Sequence, residues 1–167
     1  MKMVLNIFKK AKKKQAQTMT APVNGKIIPL KEVPDPVFAE KMMGEGIAMV
    51  PTDGTFVSPV KGEIVQVAPT KHAIGILAED GSEILIHIGL ETVALKGEGF
   101  TVAVKPGDKV KTGQLLVDVD LEYLRTHADH IVTPIVITNS MNSNKTYEVT
   151  DEKEGRAGET VVMTVTP

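Results

Sequence analysis

His87 sits in the stretch EILIHIGLETVALKGEGF (83–100), inside a run of aliphatic residues (Ile84, Leu85, Ile86 and Ile88), and Gly89 follows at once. Such a run reads as a strand, and the glycine marks its turn. His72 stands in a comparable place one hydrophobic run earlier, in PTKHAIGIL. Alternation along a strand puts His87 on the side of Leu85, with Ile84, Ile86 and Ile88 on the other. Apolar surroundings penalise the imidazolium, so near pH 7 the ring is neutral and keeps a free nitrogen lone pair. A neutral imidazole of this kind is a nucleophile. The same parity groups His72 with Thr70, Ile74 and Ile76, and the Thr70 hydroxyl is placed to fix a ring tautomer. A lone histidine is more often a half-buried residue with no task, but two at matched sites can carry a transferable group or share a metal. His127 and His130, set among Thr126, Arg125 and Asp129, read instead as a solvated face.

Several chemistries are disfavoured or excluded by what the chain lacks. Hydrolytic zinc sites use three protein ligands, whereas this region offers two histidines and neither HExxH nor an H-x-H pair. No serine nucleophile elbow is present. With no cysteine there is no disulfide framework, no thiolate catalysis and no cysteine-type zinc site, a usage that fits the cytosol. A net charge of −2 gives no polyelectrolyte signature, so nucleic acid is not an expected partner. Gly44-Glu45-Gly46 lacks the rest of a phosphate-loop pattern and reads as a turn.

The elements that position the histidines are β-type. The 167 residues, 42% of them hydrophobic, can bury one substantial core, and with only 4% aromatic residues Ile, Val, Leu and Met must fill it. Short apolar runs separated by 14 Gly and 10 Pro predict an all-β, antiparallel sandwich or barrel-like fold with one or two short helices. APVNGKIIPL at 21–30 reappears as SPVKGEIVQV at 58–67, with Pro22/Pro59, Val23/Val60, Gly25/Gly62 and Ile27/Ile64 in register. This is an internally duplicated β-unit, and two copies suit a closed pseudo-symmetric sandwich better than a solenoid. A helical turn is expected at Val37–Lys41, strands at Gly46–Val50, Thr101–Val104 and Leu115–Val119, and a short helix over Glu122–Asp129 capped by Asp120. HIVTPIVITN reads as a strand interrupted by Pro134, and Asp151–Gly158 as a hinge between the final strands.

Residues 1–20 read as a flexible basic arm preceding a folded domain over 21–167. In 1–14, Met3, Val4, Leu5, Ile7 and Phe8 precede Lys9, Lys10, Lys12, Lys13 and Lys14. That composition carries two readings, a weak hold on anionic lipid and a solvated arm. No run reaches the ~18 apolar residues of a membrane span.

IHIGLETVALKGEGF, preceded by PTKHAIGI and VPDPVFAEKMMGEGIAMVP, closely resembles the glucose-type IIA component of the bacterial phosphoenolpyruvate-dependent sugar phosphotransferase system. The likeness runs from about Ala21 to Val165, and its signature is a histidine, a hydrophobic residue, glycine, a hydrophobic residue, an acid, then Thr-Val. It implies a β-sandwich with a duplicated unit and a phosphotransferase that works through a phosphohistidine, with no cofactor. By that resemblance His87 accepts a phosphoryl group from HPr and passes it to a cysteine on the IIB domain of a sugar permease during sugar uptake. His72 assists, chiefly in the onward step, and Thr70 belongs to their hydrogen-bond network. The Gly89 carbonyl would hold the His87 Nδ1 proton, leaving Nε2 to attack. Val37, Phe38, Ile47 and Ile86 are implied as partner-docking residues. The same likeness places the protein in the cytoplasm, with the basic arm at the inner face of the membrane if it holds lipid.

Three departures stand out. Glu91 replaces the signature's usual Asp, Ala68 stands where some relatives have an aromatic, and Met141 where some have an Asp. These bear on partner choice rather than on the phosphoryl chemistry. No metal is expected in the isolated protein, His72 and His87 serving as zinc ligands only together with a partner's carboxylate. Two alternatives stay open at this point: a regulatory binding module of the same fold, and a zinc-site, peptidase-like protein.

Overall fold

Period-two burial sorts the chain into strands that pack sheet on sheet. The computed structural model describes residues 15–167, so the two readings of the 1–14 segment lie outside the described residues. In chain order the strands are β1 (Gln17–Thr20), β2 (Gly25–Pro29), β3 (Glu45–Pro51), β4 (Thr55–Val57), β5 (Gly62–Val67), β6 (Ala73–Ala78) and β7 (Glu83–His87). They continue as β8 (Phe100–Val102), β9 (Lys109–Val110), β10 (Leu115–Val119), β11 (Thr133–Ile137), β12 (Thr146–Val149), β13 (Glu154–Gly155) and β14 (Val161–Thr166). Two short helices, α1 (Pro36–Ala39) and α2 (Leu121–His127), complete the regular structure.

The strands form one eight-stranded sheet in the order β13-β2-β3-β11-β7-β6-β5-β9, and two three-stranded sheets, β1-β14-β12 and β4-β10-β8. Every pairing is antiparallel. The duplicated sequence units become β2 and β5, which lie symmetrically about the central β11–β7 pair. Each starts at its repeated glycine, and each glycine pairs with a two-residue edge strand, Gly25 with Gly155 and Gly62 with Val110.

One face of the large sheet presents Ile27, Ile47, Ile64, Ile74, Ile76, Ile84, Ile86 and Ile135 to the main core, where they meet residues of the smaller sheets such as Phe56, Leu116 and Val162. The opposite face buries the alternating residues Ile28, Ala48 and Val136 under Leu30, Val33 and Phe38 of the 30–44 segment. Only part of that second face is covered. The site described below lies at the edge of the cover.

Besides shifts of one or two residues at element ends, three differences from expectation each have a local reason. Gln17–Thr20, read as the end of the flexible arm, is β1, paired with β14; one fully buried residue, Met19, is enough to anchor so short a strand in an otherwise polar segment. Folded structure therefore begins before the expected boundary at Ala21. Pro134 does not interrupt β11, because the ladder to β7 starts only at Ile135 and the proline lies outside it. Within the expected hinge 151–158, Glu154–Gly155 pairs with β2.

Gly46 in β3 permits an unusually close strand approach: a Cβ there would lie 2.1 Å from the Ile135 carbonyl oxygen. Gly46→Ala should therefore destabilise the fold by roughly 1–3 kcal/mol. An unchanged urea midpoint would show that the β3–β11 pair relaxes freely around the methyl.

Candidate functional site

β7 delivers His87 at its C-terminal end. Alternation sends Ile84 and Ile86 into the main core and leaves Leu85 and His87 on the partly covered face. Gly89, at φ 75°, then turns the chain, bringing its carbonyl oxygen 2.8 Å from His87 Nδ1. A carbonyl only accepts, so Nδ1 carries the proton, and in the neutral ring the lone pair lies on Nε2.

His72 arrives by a different route than parity suggests. β6 starts at Ala73, which pairs with His87, so His72 lies in the hairpin loop just before the strand. Lys71 adopts a left-handed conformation (φ 65°) and its N–H donates to the Ala68 carbonyl at 2.7 Å. This turn frees His72 from the core-facing register of Ile74 and Ile76. Its ring lies against His87, with centroids 4.9 Å apart and planes at 79°. The backbones are tied as well, since Ile88 N–H donates to the His72 carbonyl at 2.7 Å. Thr70 Oγ1 is 2.8 Å from His72 Nδ1.

Phe38 forms the other wall, its ring centroid 5.2 Å from that of His87. It rides on α1, which starts at Pro36 and is capped by Asp35, whose carboxylate accepts the Val37 N–H at 3.0 Å. On the far side of His72 opens a hollow of about 540 Å³, lined in part by Met43, Ala68, His72, Ala73, Gly75 and Leu85. His72 is buried and His87 half-buried.

Burial dominates the electrostatics. It holds both imidazoles below their ordinary range, and the His87 ring lowers His72 further while hydrogen bonding to the Thr70 backbone opposes the shift. For His87 the Gly89 bond and the carboxylates of Asp35 and Glu91 push back without reversing the effect. Because the folded pKa values lie below the unfolded one, the unfolded chain binds more protons in the window that opens downward from 6.5. The stability contributed by the neutral rings is thus complete above pH 6.5 and is lost as pH falls below it. Denaturation midpoints should drop on acidification through that window, and the drop should shrink in a His72→Gln/His87→Gln double variant.

Of the residues singled out for docking, only Val37 is on the surface, at 39% exposure. Ile47 and Ile86 are each 1% exposed and share the core-facing side of the sheet through their common neighbour Ile135. They are core residues. Phe38, at 5% exposure, offers little beyond its contact with His87. His127 and His130 are exposed, His127 stacked on Tyr123 and His130 bridged through its backbone to Leu90. Asp35 was missed, although the Asp-Pro start of a helical turn in VPDPVF signals its capping role. Among the described residues no three His, Cys, Asp or Glu side chains converge, so the pair falls one ligand short of a catalytic zinc set.

Comparison with known proteins agrees with this geometry. Residues 17–143 match the family model for the phosphoenolpyruvate-dependent sugar phosphotransferase system, EIIA 1. The chain is 51% identical to the PTS system glucose-specific EIIA component of Halalkalibacterium halodurans, covering 98% of this chain and 96% of the relative. It is 49% identical to that of Bacillus cereus, covering 98% and 99%. Its fold matches glucose permease IIA from Mycoplasma capricolum with a TM-score of 0.83 and 42% identity, over 89% of this chain and 96% of that one. The chain therefore belongs to the EIIA family of the phosphoenolpyruvate-dependent sugar phosphotransferase system, and it is a phosphoryl carrier between HPr and a IIB domain.

Proposed function

We propose that His87 is the residue that carries the phosphoryl group, that His72 serves its onward transfer, and that glucose is the sugar whose uptake it supports. The observation that carries the first assignment is the bond from His87 Nδ1 to the Gly89 carbonyl, which commits the lone pair of the neutral ring to Nε2. In the accepting step the Nε2 lone pair forms the N–P bond while the bond from phosphorus to HPr breaks. The proton stays on Nδ1, donated to the Gly89 carbonyl, so the ring becomes cationic and is already a good leaving group for the next transfer. No proton has to move within His87 in either direction.

His72 is placed to act on the phosphoryl oxygens. When the Thr70 hydroxyl donates to its Nδ1, the proton of the neutral ring sits on Nε2 and can donate to the transferring group. Phosphoryl transfer depends mainly on positioning and charge stabilisation. A site at the border between a covered and an open half-sheet suits two visitors in turn. Val37 and the rim of the hollow form the surface they meet. The names of the relatives support glucose as the sugar.

The experiment is to incubate the protein with phosphorylated HPr and map the phosphate by mass spectrometry under conditions that preserve phosphohistidine. Phosphate on the peptide containing His87 supports the assignment; phosphate on the peptide containing His72, His127 or His130 alone overturns it.

A further inference from the structure

Three methionines, Met42, Met43 and Met141, lie in the segments that follow α1 and β11. Met43 lines the hollow together with His72. Met42, 63% exposed, follows α1 closely, its N–H donating to the Val37 carbonyl at 3.1 Å, and the neighbouring Phe38 ring rests on His87. Met141, 71% exposed, lies in the turn Ser140–Asn142. That turn is joined to the methionine turn, because the Ser140 hydroxyl accepts the Glu45 N–H at 2.9 Å. The two methionine-bearing turns are therefore neighbours, one of them running on from the helix whose Phe38 ring rests on His87. Met19, Met49 and Met163 are sealed in the main core, none more than 1% exposed. The chain has no cysteine to intercept an oxidant first.

We propose that Met42 and Met141 form a peroxide-sensitive modification site that governs how well HPr docks. The proposal rests on the reading of this face as the surface that HPr meets. In each event a sulfur lone pair attacks one oxygen of hydrogen peroxide, the S–O bond forms and the O–O bond breaks. The second oxygen leaves as hydroxide, which takes the proton of the new S–OH group, so that the products are the sulfoxide and water. Sulfur is oxidised by two electrons, the peroxide is reduced by two, and methionine becomes its sulfoxide. A flexible apolar side chain is thereby replaced by a polar one carrying a strong acceptor. Any contact that buried the thioether must then bury a sulfoxide oxygen without a donor, which weakens docking. The histidine chemistry itself is untouched, because neither sulfur belongs to the imidazole pair or its hydrogen bonds. Sulfoxide reductases make the change reversible.

The test compares wild type with a Met42→Leu/Met141→Leu variant, each treated with millimolar hydrogen peroxide. Peptide masses should show one added oxygen at Met42 and at Met141 and none at Met19, Met49 or Met163. Oxidised wild type should show a KM for phosphorylated HPr raised roughly fivefold or more, with the rate at saturating HPr little changed. Compared with its own untreated form, the double leucine variant should show no peroxide-dependent rise in KM, and methionine sulfoxide reductase should restore the wild type. An unchanged KM in oxidised wild type overturns the proposal, as does an equal rise in the leucine variant. Mapping the phosphate in the same samples keeps the two readings apart: phosphate away from His87 defeats the site assignment, whereas phosphate on His87 with an unchanged KM defeats the methionine proposal alone.

Discussion

His87→Ala should reduce labelling by phosphorylated HPr to background. The ring's Nε2 is the only atom proposed to form the N–P bond, so its removal deletes the acceptor rather than slowing it. The loss should survive any excess of donor, unlike the effect of a docking variant, which raises KM. Because the His87 ring packs on Phe38 and is half-buried, truncation should also cost about 1–2 kcal/mol of stability. A cooperative melt at a somewhat lower temperature would show that the fold persists. Normal labelling of this variant would show that another residue carries the phosphoryl group.

His72→Ala should separate the two half-reactions. Its ring touches His87 and Thr70 Oγ1 lies 2.8 Å from its Nδ1, but in the proposed mechanism it forms no bond to phosphorus, so labelling from HPr should persist. Delivery to the IIB domain should fall by roughly 10²-fold or more, the range expected when a positioned proton donor is removed. The expected readout is a phosphorylated protein that accumulates and fails to discharge. Thr70→Val should show a weaker form of the same defect, since it removes the tautomer's partner and leaves the ring. If His72→Ala discharges at the wild-type rate, the second imidazole has no part in the transfer.

Much of this arrangement was legible in the chain. The alternation Ile84, Ile86, Ile88 against Leu85 and His87 is set by the two-residue period of a strand, and the structure follows it. The repeated Gly25 and Gly62 likewise announced two equivalent strands. Parity also told against one of the docking residues: Ile86 is the neighbour of His87 in a strand and so faces the other way. The resemblance suggested it as surface, and the geometry places it in the core. His72 shows the opposite limit. Its parity pointed inward, but a non-glycine left-handed residue, Lys71, ends the register before parity applies, and no composition rule announces a lysine in that conformation. Ile47 was unreadable for a related reason. Which face of a strand is core depends on its neighbours, and the pairing of β3 with β11 joins segments far apart in the chain.

The two-residue strands β9 and β13, which finish the large sheet on either side, bear on how such a carrier lives among other proteins. An extended sheet margin is a standing invitation to add a stranger's backbone, and attachments of that kind are slow to undo. Margins this brief offer too few amide groups for such an attachment to take hold. Encounters are thereby left to side chains on the imidazole face, which can release a visitor as readily as they receive it.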